Sequence, residues 1–539
     1  MNDQSRVVPD AESTRQTVPP NAQPVPGSKE GTSGTSRPLG RRIAQGVAYT
    51  LLGAGLAKAL TGLTSIVLAR ILGVSAFGQY GIVQSTVLMF STYGSLRMGT
   101  IAIKYVAQYR EDDPARAARI LQMALWISGI ACALASLGVA ALAPQLAAST
   151  LARPELADAL RVGSLFLFFI TFGSIVQQAL GGFEDFKATS LNGVLRAALS
   201  MAFAIPLAWV WGLYGALWGM ALASLFTIPQ AFLFLWRQQR RFKFPRHITL
   251  KEAFSEYPIL YHFALPGFLM LAVMTGANWL GRVFLLRERG FADVGLFEAA
   301  GQWVMVVSFA PTVLSRVVLP ILSSTASDNA RESYQRTLSL QLQTVLLLTG
   351  PATILMIALC HWVTAVYGQE YAGTDKLMPV LFFTAFLRTV TETFRISYES
   401  KGRQWSGLTV YIVWALVFLG SAAFLTREWG AMGFALAGLA GQTALLAISA
   451  WQVHFQLVPG FLRLDGKLLV LMSAAIALSC VAWHALPLRA GVPACLALCV
   501  LTLIPLGTRL ARANRRHNPI AILKNFLLRM PLLARWRTP

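Results

Sequence analysis

The sequence predicts an all-α polytopic membrane protein of about fourteen transmembrane helices, and three observations carry that prediction. The chain of 539 residues is 55% hydrophobic and only 13% charged, against about 25% charged in soluble domains. Apolar runs long enough to cross a bilayer recur from Ile43 to near Leu510, and no polar stretch between them is long enough to bury a core of its own. The pattern also runs through twice. Residues 68–84, LARILGVSAFGQYGIVQ, align without a gap on residues 285–301, LLRERGFADVGLFEAAG, 217 positions later. Leu68, Arg70, Gly73 and Gly78 fall on Leu285, Arg287, Gly290 and Gly295, and Tyr80 falls on Phe297. Both segments join the first apolar block of a half to the second. Two such halves imply a substrate path at their interface and rocking of one half against the other.

Residues 1–42 form a polar tail. Positions 1–38 are rich in Pro, Ser, Thr, Gln and Gly and lack the apolar stretch of a signal peptide, so they read as disordered. Helices are then expected near 43–69, 79–103, 119–147, 158–181, 188–210 and 213–236, a first six-helix unit over 43–236. A basic linker over 237–257 leads to a second unit over 258–455, with helices near 258–286, 294–321, 338–366, 377–398, 405–426 and 430–453. Two further helices, near 468–486 and 491–510, occupy 456–510. Turn chemistry marks several connectors, such as Asp112-Asp113-Pro114 and Val458-Pro459-Gly460. In the basic tail over 511–539, Ile520, Leu523, Phe526 and Leu527 recur at helical spacing, which suits the surface of the inner leaflet.

The net charge of +22 is gathered at helix ends. Six basic residues sit in one connector (Arg237, Arg240, Arg241, Lys243, Arg246, Lys251) and eight in the tail from Arg509 onward. That distribution is what the positive-inside rule and anionic lipid headgroups produce, and it argues against a nucleic-acid partner. Placing odd-numbered helices with their starts in the cytoplasm puts every basic cluster on one side, so both termini are expected inside. The five cysteines lie in apolar segments, and Cys495 and Cys499 have no His or acidic companion. They read as small buried side chains, with no metal and no cofactor implied.

Charges inside the spans are costly and therefore functional candidates. Lys58 is the only charge between Arg42 and Arg70, near the middle of helix 1. It needs a watery cavity, a partner or an anionic ligand, unless it reaches a carbonyl or headgroup. Helix 10 carries Arg388, Glu392, Arg395 and Glu399 on one face, over about 16 Å. That face is expected to look into the bundle, either as a coupling site or as a self-neutralising ladder. Helix 7 places Thr275, Asn278 and Arg282 together after a Pro266-Gly267 break. Arg316, between Pro311 and Pro320, and Arg97 hold nearly equivalent places in the two halves. Snorkelling to the surface competes with a cavity role for Arg282, Arg316 and Arg97, and Arg196 reads as an anchor. Helices 1–6 contain no central Asp or Glu, so the cations favour an anionic substrate such as a phosphate or pyrophosphate.

The stretch LARILGVSAFGQYGIVQ resembles the first loop of the polysaccharide-transporter family, the O-antigen and exopolysaccharide flippases. There an Ala-Arg-x-Leu-Gly segment leads into a Phe-Gly-x-Tyr turn. Ala69, Arg70, Leu72, Gly73, Phe77, Gly78 and Tyr80 match it. The stretch SLRMGTIAIKYVAQY (95–109) is similar to that family's end of helix 2, through Lys104, Tyr105, Val106 and Ala107, and the copy from Arg287 to Phe297 fits more loosely. The resemblance spans roughly 43–455 in pattern and 60–110 in motif. It implies a fold like that of the multidrug-and-toxin extruders (MATE), with two six-helix bundles around a central cavity and two additional C-terminal helices. It also implies movement of an undecaprenyl-pyrophosphate-linked glycan from the inner to the outer leaflet of a bacterial cytoplasmic membrane, among glycosyltransferases and a polysaccharide polymerase. Gly281-Arg282 stands where the family often has an acidic residue, and Ser95 where many relatives have Asp. Both changes remove negative charge. The competing readings are a lipid II flippase or drug exporter of the same superfamily, and a membrane glycan polymerase or ligase. The last needs a large external loop and an activated base, and neither His361 nor His484 has triad companions.

Overall fold

A computed structural model describes residues 39–245, 248–257, 259, 265–309, 311, 331–400, 404–457 and 462–514, and among them no residue is in a strand. Nine helices among the described residues are long and apolar enough to cross a membrane. Three of these are double. Helix α1 (Leu39–Ser95) bends at Gly73, α5 (Phe186–Arg241) at Gly212 and α12 (Gln404–Gln452) at Gly430. Each is about twice as long as a crossing requires.

The bends at Gly212 (φ 55°, ψ −130°) and Gly430 (φ 56°, ψ −133°) are the same turn, built twice, in a conformation that penalises any residue with a Cβ. A Cβ on Gly215 would collide with the Leu207 carbonyl, and one on Gly433 with the Leu425 carbonyl. Residues eight apart lie about 12 Å apart along an unbroken helix, so these contacts show the chain doubling back. The internal repeat thus extends well beyond the stretch where sequence identity reveals it.

The expected break between the first two helices, over 70–78, is present but shorter than predicted: it falls on Gly73, whose φ of 73° and ψ of 169° are not helical. The chain stays helical on both sides of Gly73 and runs on to Ser95. The helix expected over 79–103 stops there because Leu96 and Arg97 take φ of 44° and 60°, which breaks the hydrogen-bond ladder. It restarts as α2 (Met98–Tyr109).

One lobe is built from α1, α2, α3 (Pro114–Gln145), α4 (Ala157–Gly182) and α5, with α1 against α4 and α5 and α3 against α4. The other contains α7 (Leu265–Arg289), α8 (Phe291–Gln302), α9 (Arg331–Ala358), the short α10 (Cys360–Ala365), α11 (Thr374–Ser400) and α12. Helices α13 (Leu462–Ala485) and α14 (Leu488–Asn514) pack on each other and on α9. Between the lobes, α6 (Leu250–Phe254) begins with a Thr249–Glu252 capping box and docks on α3. Glu256 just beyond it takes Arg116 at 3.2 Å and Arg119 at 3.3 Å.

The two ends of the bundle differ in turn chemistry. Gly73, Gly212, Gly290, Gly368, Gly373 and Gly430, joined by Ala152, take positive φ in the turns of one end. At the other, Leu96, Arg97, Glu184 and Lys243 take that role, amid Arg110, Arg116, Arg240 and Arg241. These are called the glycine end and the basic end below.

Candidate functional site

The lobes meet along two seams. In the first, the second arm of α1 lies against α7. There the Trp279 indole donates to Thr86 Oγ1 at 2.9 Å, and the rings of Tyr93 and Phe268 meet edge-on at 6.1 Å. In the second, the first arm of α1 faces the chain just after α8. A Cβ on Gly62 would lie 2.9 Å from Met305 Cε, and one on Gly55 would lie 3.7 Å from Phe309 Cζ.

Lys58 falls on the same helix face as Gly55 and Gly62, three and four residues away. Leu52, Leu56 and Leu63 form an exposed stripe on another side of this helix, the side a bilayer would cover. Lys58 is exposed beside the seam, next to exposed Thr61, and has no ion pair or hydrogen bond among the described residues. Arg196 on the first arm of α5 is partly buried and equally unpaired among the described residues. It lies across the helix from exposed Leu191 and Trp209. A Cβ on Gly53 would collide with Ser190, so Lys58 and Arg196, five and six residues further along parallel arms, stand at nearly the same depth.

On α11, Glu392 is paired, but with Arg395: the carboxylate accepts Nε at 2.8 Å and Nη2 at 2.5 Å. No ion pair joins Glu392 to Arg388, which is exposed. The spacing of four and the spacing of three are both open to a helix, and here the shorter one is used. The Glu399 side chain lies outside the described residues.

Arg282 is also paired. Its Nε lies 2.5 Å from Glu298 Oε1, its ring neighbour is Phe297 at 5.7 Å, and it donates to the Asn278 carbonyl at 3.3 Å. Asn278 itself donates to the Met274 carbonyl. The Glu298 side chain is seated where Gly81 has none, since a Cβ there would come 2.7 Å from Glu298 Cγ. Arg316 lies outside the described residues. Arg97 lies against the backbone of Gly267 at the start of α7.

Among the described residues, Lys58, Arg196 and Arg388 thus make no ion pair, whereas Arg282 and Arg395 are each paired with a glutamate. Sequence reasoning missed Glu298 as the partner of Arg282. The available signal was the repeat itself, because Glu298 aligns with Gly81 under the 217-residue shift. It also took Arg196 for an anchor, since nothing in a linear pattern shows which flank of a helix is lipid-facing. Among the described residues, no group of three or more His, Cys, Asp or Glu side chains is placed to hold a metal ion. A separate groove of about 680 Å³ lies between α11, α12 and α13, walled by Val380, Phe383, Leu436, Leu439 and Val481. Among the described residues, its titratable side chains are Cys480 and His484, so it suits hydrocarbon and not an anion.

Residues 43–326 match the family model described as "Polysaccharide biosynthesis protein". The chain is 23% identical over 429 residues to "EPS I polysaccharide export inner membrane protein EpsE" of Ralstonia nicotianae, covering 76% of this chain and 94% of that protein. Among solved structures it is similar to "Lipid II flippase MurJ, inward closed conformation", with a TM-score of 0.63 and 14% identity over 86% of this chain and 99% of that one. An inward-facing multidrug resistance MATE family transporter of the MOP superfamily gives 0.58 and 15%, over 75% of this chain and 97% of that one. These two likenesses establish the fold: a MATE-like arrangement of helices in two related lobes.

Proposed function

The chain belongs to the polysaccharide biosynthesis protein family, and from that premise we propose that it is a flippase for an undecaprenyl-pyrophosphate-linked oligosaccharide. The glycan passes from the inner to the outer leaflet of the cytoplasmic membrane, for exopolysaccharide, capsule or O-antigen synthesis. The observation that carries this reading is Lys58, at mid-span beside the lobe seam and with no ion pair or hydrogen bond among the described residues. A cation at such a depth costs about 2.5–3.5 kcal/mol on insertion scales, a cost that an anionic ligand offsets. Arg196 stands at nearly the same depth, and exposed Arg388 of the other lobe is the further cation assigned to the pyrophosphate. Arg forks and a Lys point charge are the two side-chain chemistries suited to it.

The glycan occupies the wet interior while the prenyl chain stays in lipid. Rocking of the two lobes then presents the site to either leaflet. The Glu392–Arg395 pair is proposed as the coupling element, and Arg282 with Asn278 as a positioning pair already neutralised by Glu298. The basic end faces the cytoplasm, as the positive-inside rule requires. The enzymes that build the lipid-linked repeat and the polymerase that consumes it are the proposed partners, and the protein performs no bond chemistry of its own.

The test is charge at position 58. Lys58→Arg is expected to retain part of the surface glycan, and Lys58→Ala or Lys58→Glu to lose most of it at equal protein level. Normal glycan from a stably expressed Lys58→Glu variant refutes the role given to this residue. The likeness to the lipid II flippase fold over 86% of the chain motivates one alternative substrate. Flipping assays in vesicles with lipid II and with a lipid-linked oligosaccharide side by side separate the two.

A further inference from the structure

The two arginines of the repeated motif do the same thing in opposite directions. Arg70 of the first lobe donates from Nε to the Val366 carbonyl of the second at 2.5 Å. Arg287 of the second lobe donates to the Ser149 and Thr150 carbonyls of the first, the latter at 2.8 Å. Positions 70 and 287 are related by the 217-residue shift, and so are 149 and 366. The neighbouring contacts obey the same exchange. Glu370 accepts the Val74 amide at 3.2 Å, and Arg153 covers the Phe291 ring at 5.3 Å. Glu370 corresponds to Arg153, and Val74 to Phe291. Between the arms, a Cβ on Gly78 would collide with the Phe291 carbonyl, and one on Gly295 with the Val74 carbonyl.

We propose that Arg70 and Arg287 are the two arms of a single reciprocal clasp that holds the glycine end shut, and that both arms must release together for that end to open. Three features support this. Each arm crosses from one lobe to the other, so each must break when the lobes rock apart at this end. Both arginines are exposed, so water can replace their bonds, unlike the buried glycine contacts beneath them. Both grip main-chain oxygens, so neither depends on a titratable partner. Arg289 is the contrast: it binds the Thr426, Arg427 and Glu428 carbonyls of its own lobe and rides with that lobe in any rocking motion.

The clasp rests on the transport reading in general but not on the substrate or on which end faces outward. It is tested without substrate, by hydrogen–deuterium exchange of the full chain in lipid nanodiscs. If the arms form one device, Arg70→Gln and Arg287→Gln each raise exchange in both 146–156 and 366–374, by about tenfold. Arg289→Gln raises it only near 425–433. If Arg70→Gln loosens only 366–374 and Arg287→Gln only 146–156, or if neither changes either segment, the clasp is overturned. Arg70→Lys and Arg287→Lys keep the charge but lose the fork; they give the same reciprocal pattern at smaller amplitude and serve if the glutamine variants do not fold. Failure of this pattern leaves the flippase reading intact, and loss of flipping by Lys58→Glu leaves the clasp intact.

Discussion

Glu298 and Gly81 hold equivalent positions in the two repeats, and the missing side chain at one seats the carboxylate of the other. That carboxylate holds Arg282, and both partners are largely shielded. Glu298→Ala strands a guanidinium and is expected to cost about 1–3 kcal/mol, read as a lower unfolding temperature in detergent. Arg282→Met with Glu298→Leu should recover most of it; a double variant as unstable as the single one would show that the pair is more than a local ion pair. On α11 the same logic separates two arginines that look alike in sequence. Arg395 is bound by Glu392 and Arg388 is not, so Arg395→Met lowers stability while Arg388→Met leaves folding unchanged and lowers flipping. Equal effects on stability would contradict the assigned pairing.

The repeated glycine turns give a controlled comparison between elements. Gly212 and Gly430 share one backbone conformation, so an alanine at either pays a similar strain of about 1–3 kcal/mol. At Gly212 nothing lies within 4 Å of the added methyl, whereas at Gly430 it would displace the Asp293 carboxylate. That carboxylate accepts the Ala431 amide at 2.9 Å. Gly430→Ala is therefore expected to cost more than Gly212→Ala by about 1 kcal/mol, measured as a difference in unfolding temperature between purified variants. Equal losses would mean that the Asp293 bond survives by rearrangement. The asymmetry shows how a repeat diverges: the turn geometry is retained in both lobes, while only one is tied to its neighbour by a side chain.

At the scale of the molecule, the basic end is proposed to face the cytoplasm. A reporter fused after Arg246 is then cytoplasmic and one near Gly373 periplasmic; the opposite result inverts the orientation. The sequence by itself determined the class of the protein, because membrane spans are a matter of local composition and length, legible without any neighbour. It also exposed the repeat at 68–84 and 285–301, where tight glycines and a shared arginine preserved identity, and it marked Lys58 as an unneutralised charge. Tertiary structure alone decided the rest. The connector expected over 70–78 contracts to a break at Gly73, because one glycine at a non-helical φ/ψ joins the two arms of α1 without a longer loop. Arg282 has a carboxylate partner sixteen positions away on the next helix, and Arg196 turns away from its helix's exposed flank. Arg70 grips a carbonyl 296 positions distant. Such pairings depend on which helix faces lie together across the lobes, and a linear hydropathy pattern carries the period of a helix but not its rotation about its own axis.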